Sequence, residues 1–216
     1  MTREVLSVKQ FSELSCTAFA DALASKTPAP GGGGSAAMTG ALGIALCSMA
    51  GHFTVGKKKY AAYEADLQRM LVECDNLRRR LLALIDADAQ GFEPLSRAYA
   101  LPKDAPDRDA VMKDATISAC QAPMEVISCC GRALTLLEEM LEKSSRLLIT
   151  DVGCGALLCK AAMESAALNV FINTASLTDR ETARQMEQQV DEAIQTYLPL
   201  ADKISAAVTA YIRKED

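Results

Sequence analysis

The stretch Pro28-Ala29-Pro30-Gly31-Gly32-Gly33-Gly34-Ser35 decides how this 216-residue chain is read. Proline fixes its own φ and drives the preceding residue out of the helical region, so 28–30 is a stiff, extended lead. Four successive glycines then lose more conformational freedom on folding than any other tetrapeptide. A fold accepts that cost where backbone must turn sharply or let another group come close. Ser35 is a good helix N-cap and predicts a helix over about 35–54. A helix start leaves backbone N–H groups without partners, which suits an anionic or carbonyl-bearing ligand.

Outward from this point, Thr27 to Gly56 contains no Lys, Arg, Asp or Glu. The length invites a membrane span. The segment is rich in Ala, Gly, Ser, Thr and Met rather than large aliphatics, and the chain offers no aromatic belt. A central helix buried on all sides, with neighbours at close range, is therefore expected.

The flanking sequence is helical in period throughout. Val8, Phe11, Leu14, Ala18, Ala22 and Leu23 predict a helix over 7–25. Leu67, Met70, Leu71, Cys74, Leu77, Leu81, Leu84, Ile85 and Phe92 predict a long one over 60–99. Further helices are expected at 108–143, kinked at Pro123, at 152–174 behind a Thr150-Asp151 cap, and at 179–213. No strand alternation persists and no internal repeat occurs. The expected fold is all-α: one domain over 1–216, an antiparallel bundle of five to six helices, one of them kinked.

Composition narrows the function. Half the residues are hydrophobic, aromatics make up 5%, and the formal charge is −5. A basic, aromatic-bearing nucleic-acid surface is not expected. The N-terminus lacks the apolar core of a signal peptide. Of the eight cysteines, Cys47, Cys74, Cys120 and Cys159 fall on apolar helical positions, and Cys129-Cys130 is an adjacent pair ill-suited to an ordinary bridge. All are expected to be reduced thiols in a cytoplasmic protein. With one histidine, His52, and no Cys-x-x-Cys, a zinc site is not expected. The fragment Gly31-x-Gly33-x-x-Ala36 matches a dinucleotide fingerprint formally, but without a preceding strand it carries no such meaning.

Asp88 is the main candidate for chemistry. The stripe Leu77, Leu81, Leu84, Ile85 continues to position 88 and then Phe92, which turns this carboxylate inward. Its neighbour Asp86 points elsewhere and is expected to be solvated. A buried carboxylate is costly unless paired, and its raised pKa suits proton transfer; an ordinary ion pair is the competing reading. Lys57, Lys58 and Lys59 oppose the negative end of a helix dipole, or form a basic clamp for a ligand carboxylate. Asn169 and Asn173, four apart on a face of small residues, either tie helices together or hydrogen-bond a heterocycle.

In order along the chain, Pro28-Ala29-Pro30-Gly-Gly-Gly, Ser48-Met49, Thr54-x-Gly56-Lys57-Lys58-Lys59-Tyr60, Asp86-Ala87-Asp88-Ala89-x-x-Phe92, Leu101-Pro102-Lys103, Thr150-Asp151 and Asn169-Val170-x-Ile172-Asn173 resemble the formiminotetrahydrofolate cyclodeaminase / methenyltetrahydrofolate cyclohydrolase family. The resemblance spans nearly the whole chain. It implies an all-helical homodimer acting on a tetrahydrofolate derivative, with no metal, nucleotide or other cofactor, and no nucleic-acid or membrane partner. By that resemblance Asp88 is the acid/base, with Asp151 a second candidate. Lys57 and Lys58 hold the glutamate tail or polarise an oxygen. Pro30, Gly31, Gly32, Gly33, Gly34, Ser35 and Thr54 line the substrate, and Asn169 and Asn173 shape its pocket.

The four-glycine loop and Gly-Lys-Lys-Lys-Tyr look like the stand-alone cyclohydrolase branch. The cyclodeaminase reaction is the alternative, and a folate-binding scaffold without turnover a second one. One departure stands out: relatives often carry Gly-Asn shortly before a Ser-Asp step, where this chain has Ser144-Ser145 before Thr150-Asp151.

Overall fold

In a computed structural model, residues 10–102 and 104–214 are described. Six α-helices are present: α1 (Cys16–Leu23), α2 (Gly32–His52), α3 (Glu64–Ala98), α4 (Arg108–Lys143), α5 (Ile149–Thr174) and α6 (Arg180–Arg213). No strand occurs among the described residues. Short 3-10 turns at Phe11–Glu13, Lys58–Tyr63 and Arg146–Leu148 precede α1, α3 and α5.

The helical class is as expected, with shifted boundaries. The helix expected over 7–25 is instead a 3-10 turn followed by α1, which Ser15 caps through its side chain to the Ala18 N–H; residues 7–9 lie outside the described residues. Ser35 is not an N-cap. α2 starts three residues earlier, with Gly31 in the cap position and Gly32 to Gly34 in the first turn. α5 likewise takes Thr150 and Asp151 into its first turn. Asp179 caps α6 through the Thr182 N–H. Besides Pro123 in α4, α3 and α6 run through Pro94 and Pro199.

Successive long helices are antiparallel. Ion pairs join the first half of α3 to α4 between its middle and its end: Asp66 with Lys143, Glu73 with Arg132, Arg80 with Glu125. The core joins Ile44, Leu81, Leu134, Leu137, Met163 and Ile204 from the five long helices. A smaller cluster of Leu95, Ala98, Met112, Ala115 and Ala119 closes the α3–α4 turn.

The contact of α2 with α5 depends on missing side chains. A Cβ at Gly43 would stand 2.9 Å from the Gly155 carbonyl and 2.6 Å from the Cys159 sulfur; one at Gly155 would stand 2.9 Å from the Gly43 carbonyl. Backbones therefore touch where the helices cross. α2 and the stretch Arg146–Thr174 are each long and apolar enough to cross a membrane by length and composition. α2, however, packs against α3, α4 and α5. It is not buried on every side, contrary to the sequence reading. Leu42, Met49 and Phe53 lie along an exposed stripe beside Leu157, Leu168 and Ile172 of α5. All eight cysteines are free, six of them buried.

Candidate active site

The first turn of α2 and the middle of α3 make the site. Helix geometry leaves the N–H groups of Gly32, Gly33 and Gly34 without partners inside α2. Asp88 of α3 faces them, and its Oδ2 accepts the Gly34 N–H at 2.9 Å. The approach is so close that a Cβ on Gly33 would fall 2.0 Å from Asp88 Oδ1. Among the described residues no cation and no second side chain pairs with this carboxylate. Burial therefore pushes its pKa up to about 6, against the smaller opposing pull of the Gly34 N–H. The positive end of the α2 dipole acts in the same sense as that N–H.

Asp88 opens into a cavity of about 350 Å³, within the range of small-molecule sites. Its rim and floor are backbone at Pro28, Ala29 and Gly31 to Gly33, ring faces at Phe92 and Tyr99, and the amides of Asn169 and Asn173. Asn169 reaches the start of α2: a Cβ on Gly32 would meet its amide at 3.0 Å. Its Nδ2 donates to the Ser165 carbonyl at 2.8 Å. Asn173 is buried and hydrogen-bonds the Cys120 thiol. The cavity thus offers one poised carboxylate, helix-start N–H groups, two amides and two aromatic faces. Among the described residues no three His, Cys, Asp or Glu side chains converge as a metal site would need.

Asp88, Gly31, Gly32, Gly33, Asn169 and Asn173 are therefore brought together as the sequence suggested. Gly34 contributes its N–H from behind the cavity wall. Pro30 is buried and Ser35 half-buried next to the lining rather than in it.

Thr54, Lys57, Lys58 and Asp151 stand elsewhere. They gather at the other end of α2, roughly 30 Å away at 1.5 Å per residue. Thr54 is wholly buried there: its hydroxyl donates to the Ala50 carbonyl and accepts the Ser145 N–H at 2.8 Å. This is a structural tie, made by the backbone of Ser145 rather than by either serine hydroxyl. Lys57 and Lys58 are exposed, and Asp151 sits half-buried in the first turn of α5. Within one chain, none of these four lines the Asp88 cavity.

Sequence reading also missed parts of the site. Phe92, a core position by the α3 stripe, and Tyr99, outside that stripe, both line the cavity; 88, 92 and 99 share one face of α3 by helical spacing. Asp86 is not solvated but 9% exposed, and hydrogen-bonded to residues 11 and 12.

An all-helical bundle that aims a half-buried carboxylate at a glycine-built helix start is an arrangement able to exchange a proton with a small organic ligand. The chain belongs to the formiminotransferase-cyclodeaminase family, whose model matches residues 15–192. It is 36% identical over 198 residues to a methenyltetrahydrofolate cyclohydrolase of Methylorubrum extorquens, covering 90% of this chain and 95% of that one. It is 29% identical over 181 residues to a formimidoyltransferase-cyclodeaminase of Sus scrofa, covering 82% of this chain and 34% of that longer protein. The crystal structure of a formiminotetrahydrofolate cyclodeaminase from Thermotoga maritima superposes with a TM-score of 0.86 at 26% identity, covering 94% of this chain and all of that one.

Proposed function

We propose that this protein is a folate enzyme of one-carbon metabolism that hydrolyses the 5,10-methenyl bridge of tetrahydrofolate to give 10-formyltetrahydrofolate, with the whole of 1–216 as one catalytic unit. The observation that carries the reading is Asp88: a carboxylate poised near neutrality, in a cavity floored by helix-start N–H groups. The match with the Methylorubrum cyclohydrolase over nearly the full length of both chains favours this reaction over ammonia-releasing cyclisation.

In this mechanism water adds to the bridging amidinium carbon while Asp88 takes its proton. The tetrahedral intermediate has nitrogen on both sides. As the bond to N5 breaks, the protonated Asp88 returns its proton to N5, the hydroxyl proton leaves to solvent, and the formyl group stays on N10. One proton is released overall. The charge of Asp88 also offsets that of the methenyl cation as it binds. Asn169 and Asn173 orient the ring system. No metal, nucleotide or other cofactor takes part, and no nucleic acid or membrane is a partner. The free cysteines suit a cytoplasmic setting.

Purified protein tests this directly. Enzyme-dependent loss of methenyltetrahydrofolate absorbance in the near ultraviolet is the expected result. Formation of that absorbance with ammonia release from 5-formiminotetrahydrofolate would instead assign the cyclodeaminase. Binding with neither change would reduce the chain to a scaffold.

The working form is a homodimer across the exposed α2–α5 stripe. Contiguous apolar surface of this kind marks an interface. A two-fold axis makes such a face self-complementary. Leu42 sits at the midpoint of α2, so an axis there pairs position 42 − x with 42 + x. The same axis carries the turn that follows the partner's α2 toward the start of this subunit's α2, on the side of the Asp88 cavity, where the partner subunit's Lys57 and the partner subunit's Lys58 meet the glutamate tail. The stripe is continuous with that mouth, since Ile172 belongs to both. Leu42→Asp should convert dimer to monomer in sedimentation and raise KM at least tenfold, with the helical circular dichroism intact. A wild-type protein that sediments as an active monomer would refute the dimer.

A further inference from the structure

The cleft does not stop at the Asp88 cavity. A second compartment, of about 470 Å³, shares Pro28, Ala29, Ala89 and Phe92 with the first. Its remaining walls are Gln10, Phe11, Asp86, Gln90, Glu93 and Ser96. The two adjoin, separated by the Phe92 ring and the Pro28-Ala29 backbone.

One side of the second compartment is the N-terminal 3-10 turn, and this turn is held by Asp86. The carboxylate's Oδ1 accepts the Phe11 N–H at 2.6 Å and its Oδ2 accepts the Ser12 hydroxyl at 2.5 Å. Both bonds span more than seventy residues of sequence. Bonds to an ionised acceptor are the strong kind. A carboxylate 9% exposed whose partners among the described residues are the neutral donors of residues 11 and 12 costs desolvation that an apolar residue would avoid. What that cost secures is the position of residues 11 and 12 against α3.

We propose that Asp86 is a positioning residue for substrate: it pins the N-terminal turn so that Phe11 walls a subsite for the pterin ring. This rests on the folate reading above. The reacting bridge of a folate lies between two ring systems, N5 on the pterin and N10 on the aminobenzoyl group. A site centred on Asp88 therefore needs room on both sides of it. The second compartment supplies one side. Its lining among the described residues includes Glu93 and no lysine or arginine, which does not favour the acidic tail. It does suit a flat heterocycle rich in N–H donors, held between Phe11 and Phe92 with amide and carboxylate acceptors at its edge.

Four variants test this, read by KM, kcat, tetrahydrofolate binding by calorimetry and hydrogen exchange at the Phe11 amide. Asp86→Ala should speed that exchange at least tenfold and raise KM and the tetrahydrofolate Kd about tenfold, leaving kcat within twofold. Phe11→Ala should reproduce the loss of binding. Asp86→Asn keeps an acceptor for the Phe11 N–H and should restore binding to within threefold of wild type. Ser12→Ala removes one bond only and should fall between, so the proposal remains testable if Asp86→Ala does not fold. Wild-type binding of tetrahydrofolate that is unchanged in Asp86→Ala and Phe11→Ala would overturn the subsite alone. A wild-type protein that does not bind tetrahydrofolate would overturn the folate reading itself.

Discussion

Asp88→Asn is expected to lower kcat by two to four orders of magnitude while making the protein more stable at neutral pH. The loss follows from removing the only carboxylate among the described residues that line the cavity; positioned general acid–base groups contribute about 10²- to 10⁴-fold. In the wild type, kcat/KM should fall as pH drops through about 6, where Asp88 becomes protonated and can no longer take a proton from water. The gain in stability follows from the same burial. The folded-state pKa of Asp88 lies above the unfolded value, so between about pH 4 and 6 the native state binds more protons than the unfolded chain. Stability therefore declines as pH rises through that window, and the penalty is complete above it. At about 1.4 kcal/mol for each tenfold change in proton affinity, it amounts to at most about 3 kcal/mol. Asn keeps an oxygen for the Gly34 N–H and carries no charge to desolvate. Its melting temperature should exceed that of wild type at pH 8 and converge with it at pH 4. Equal melting temperatures at both pH values would show that Asp88 is well solvated, and a kcat within fivefold of wild type would remove it from the chemistry.

That Asp88 turns inward was legible because an α-helix repeats every 3.6 residues, and the α3 stripe carries position 88 with it. The same logic misjudged Asp86. Periodicity describes the faces of one helix, whereas Asp86 is covered by a segment more than seventy residues earlier, which no local pattern reports. The start of α2 was misplaced for a related reason. Glycines argue against helix by propensity, yet here their lack of side chains is what lets α3 and α5 approach the first turn; packing outweighs propensity. Lys57 and Lys58 follow the glycine loop closely in the motif order, but a 21-residue helix lies between, and it carries them to the opposite end of the same subunit. Asn169 and Asn173 were recoverable because antiparallel packing returns the end of α5 to the start of α2. The glycine pair at Gly43 and Gly155, which sets how close that return is, needed the three-dimensional crossing to be seen.

Gly33→Ala is the sharpest test of the geometry, because it adds a single methyl group. Judged as a helix residue, alanine is the better choice by about 1 kcal/mol, and helix propensity alone forecasts a more stable enzyme with unchanged activity. The site forecasts otherwise. The new Cβ would lie 2.0 Å from Asp88 Oδ1, 2.5 Å from its Cγ and 2.7 Å from Oδ2, distances no packed structure holds. The carboxylate must swing out, losing the Gly34 N–H and moving toward water. Turnover should fall at least a hundredfold. Any residual activity should show its acid limb shifted down from about 6 toward the ordinary carboxylate range, since the burial that raised it is gone. Stability should change little, with helix propensity and relief of a buried charge offsetting the lost contacts. Gly32→Ala provides the control one residue away. The atoms nearest its Cβ belong to the Asn169 amide, at 3.0 Å, the end of a side chain held by a single hydrogen bond to the Ser165 carbonyl, and activity should stay within about tenfold. A Gly33→Ala enzyme as active as Gly32→Ala, with an unshifted acid limb, would mean that the carboxylate does not work from beside the α2 start.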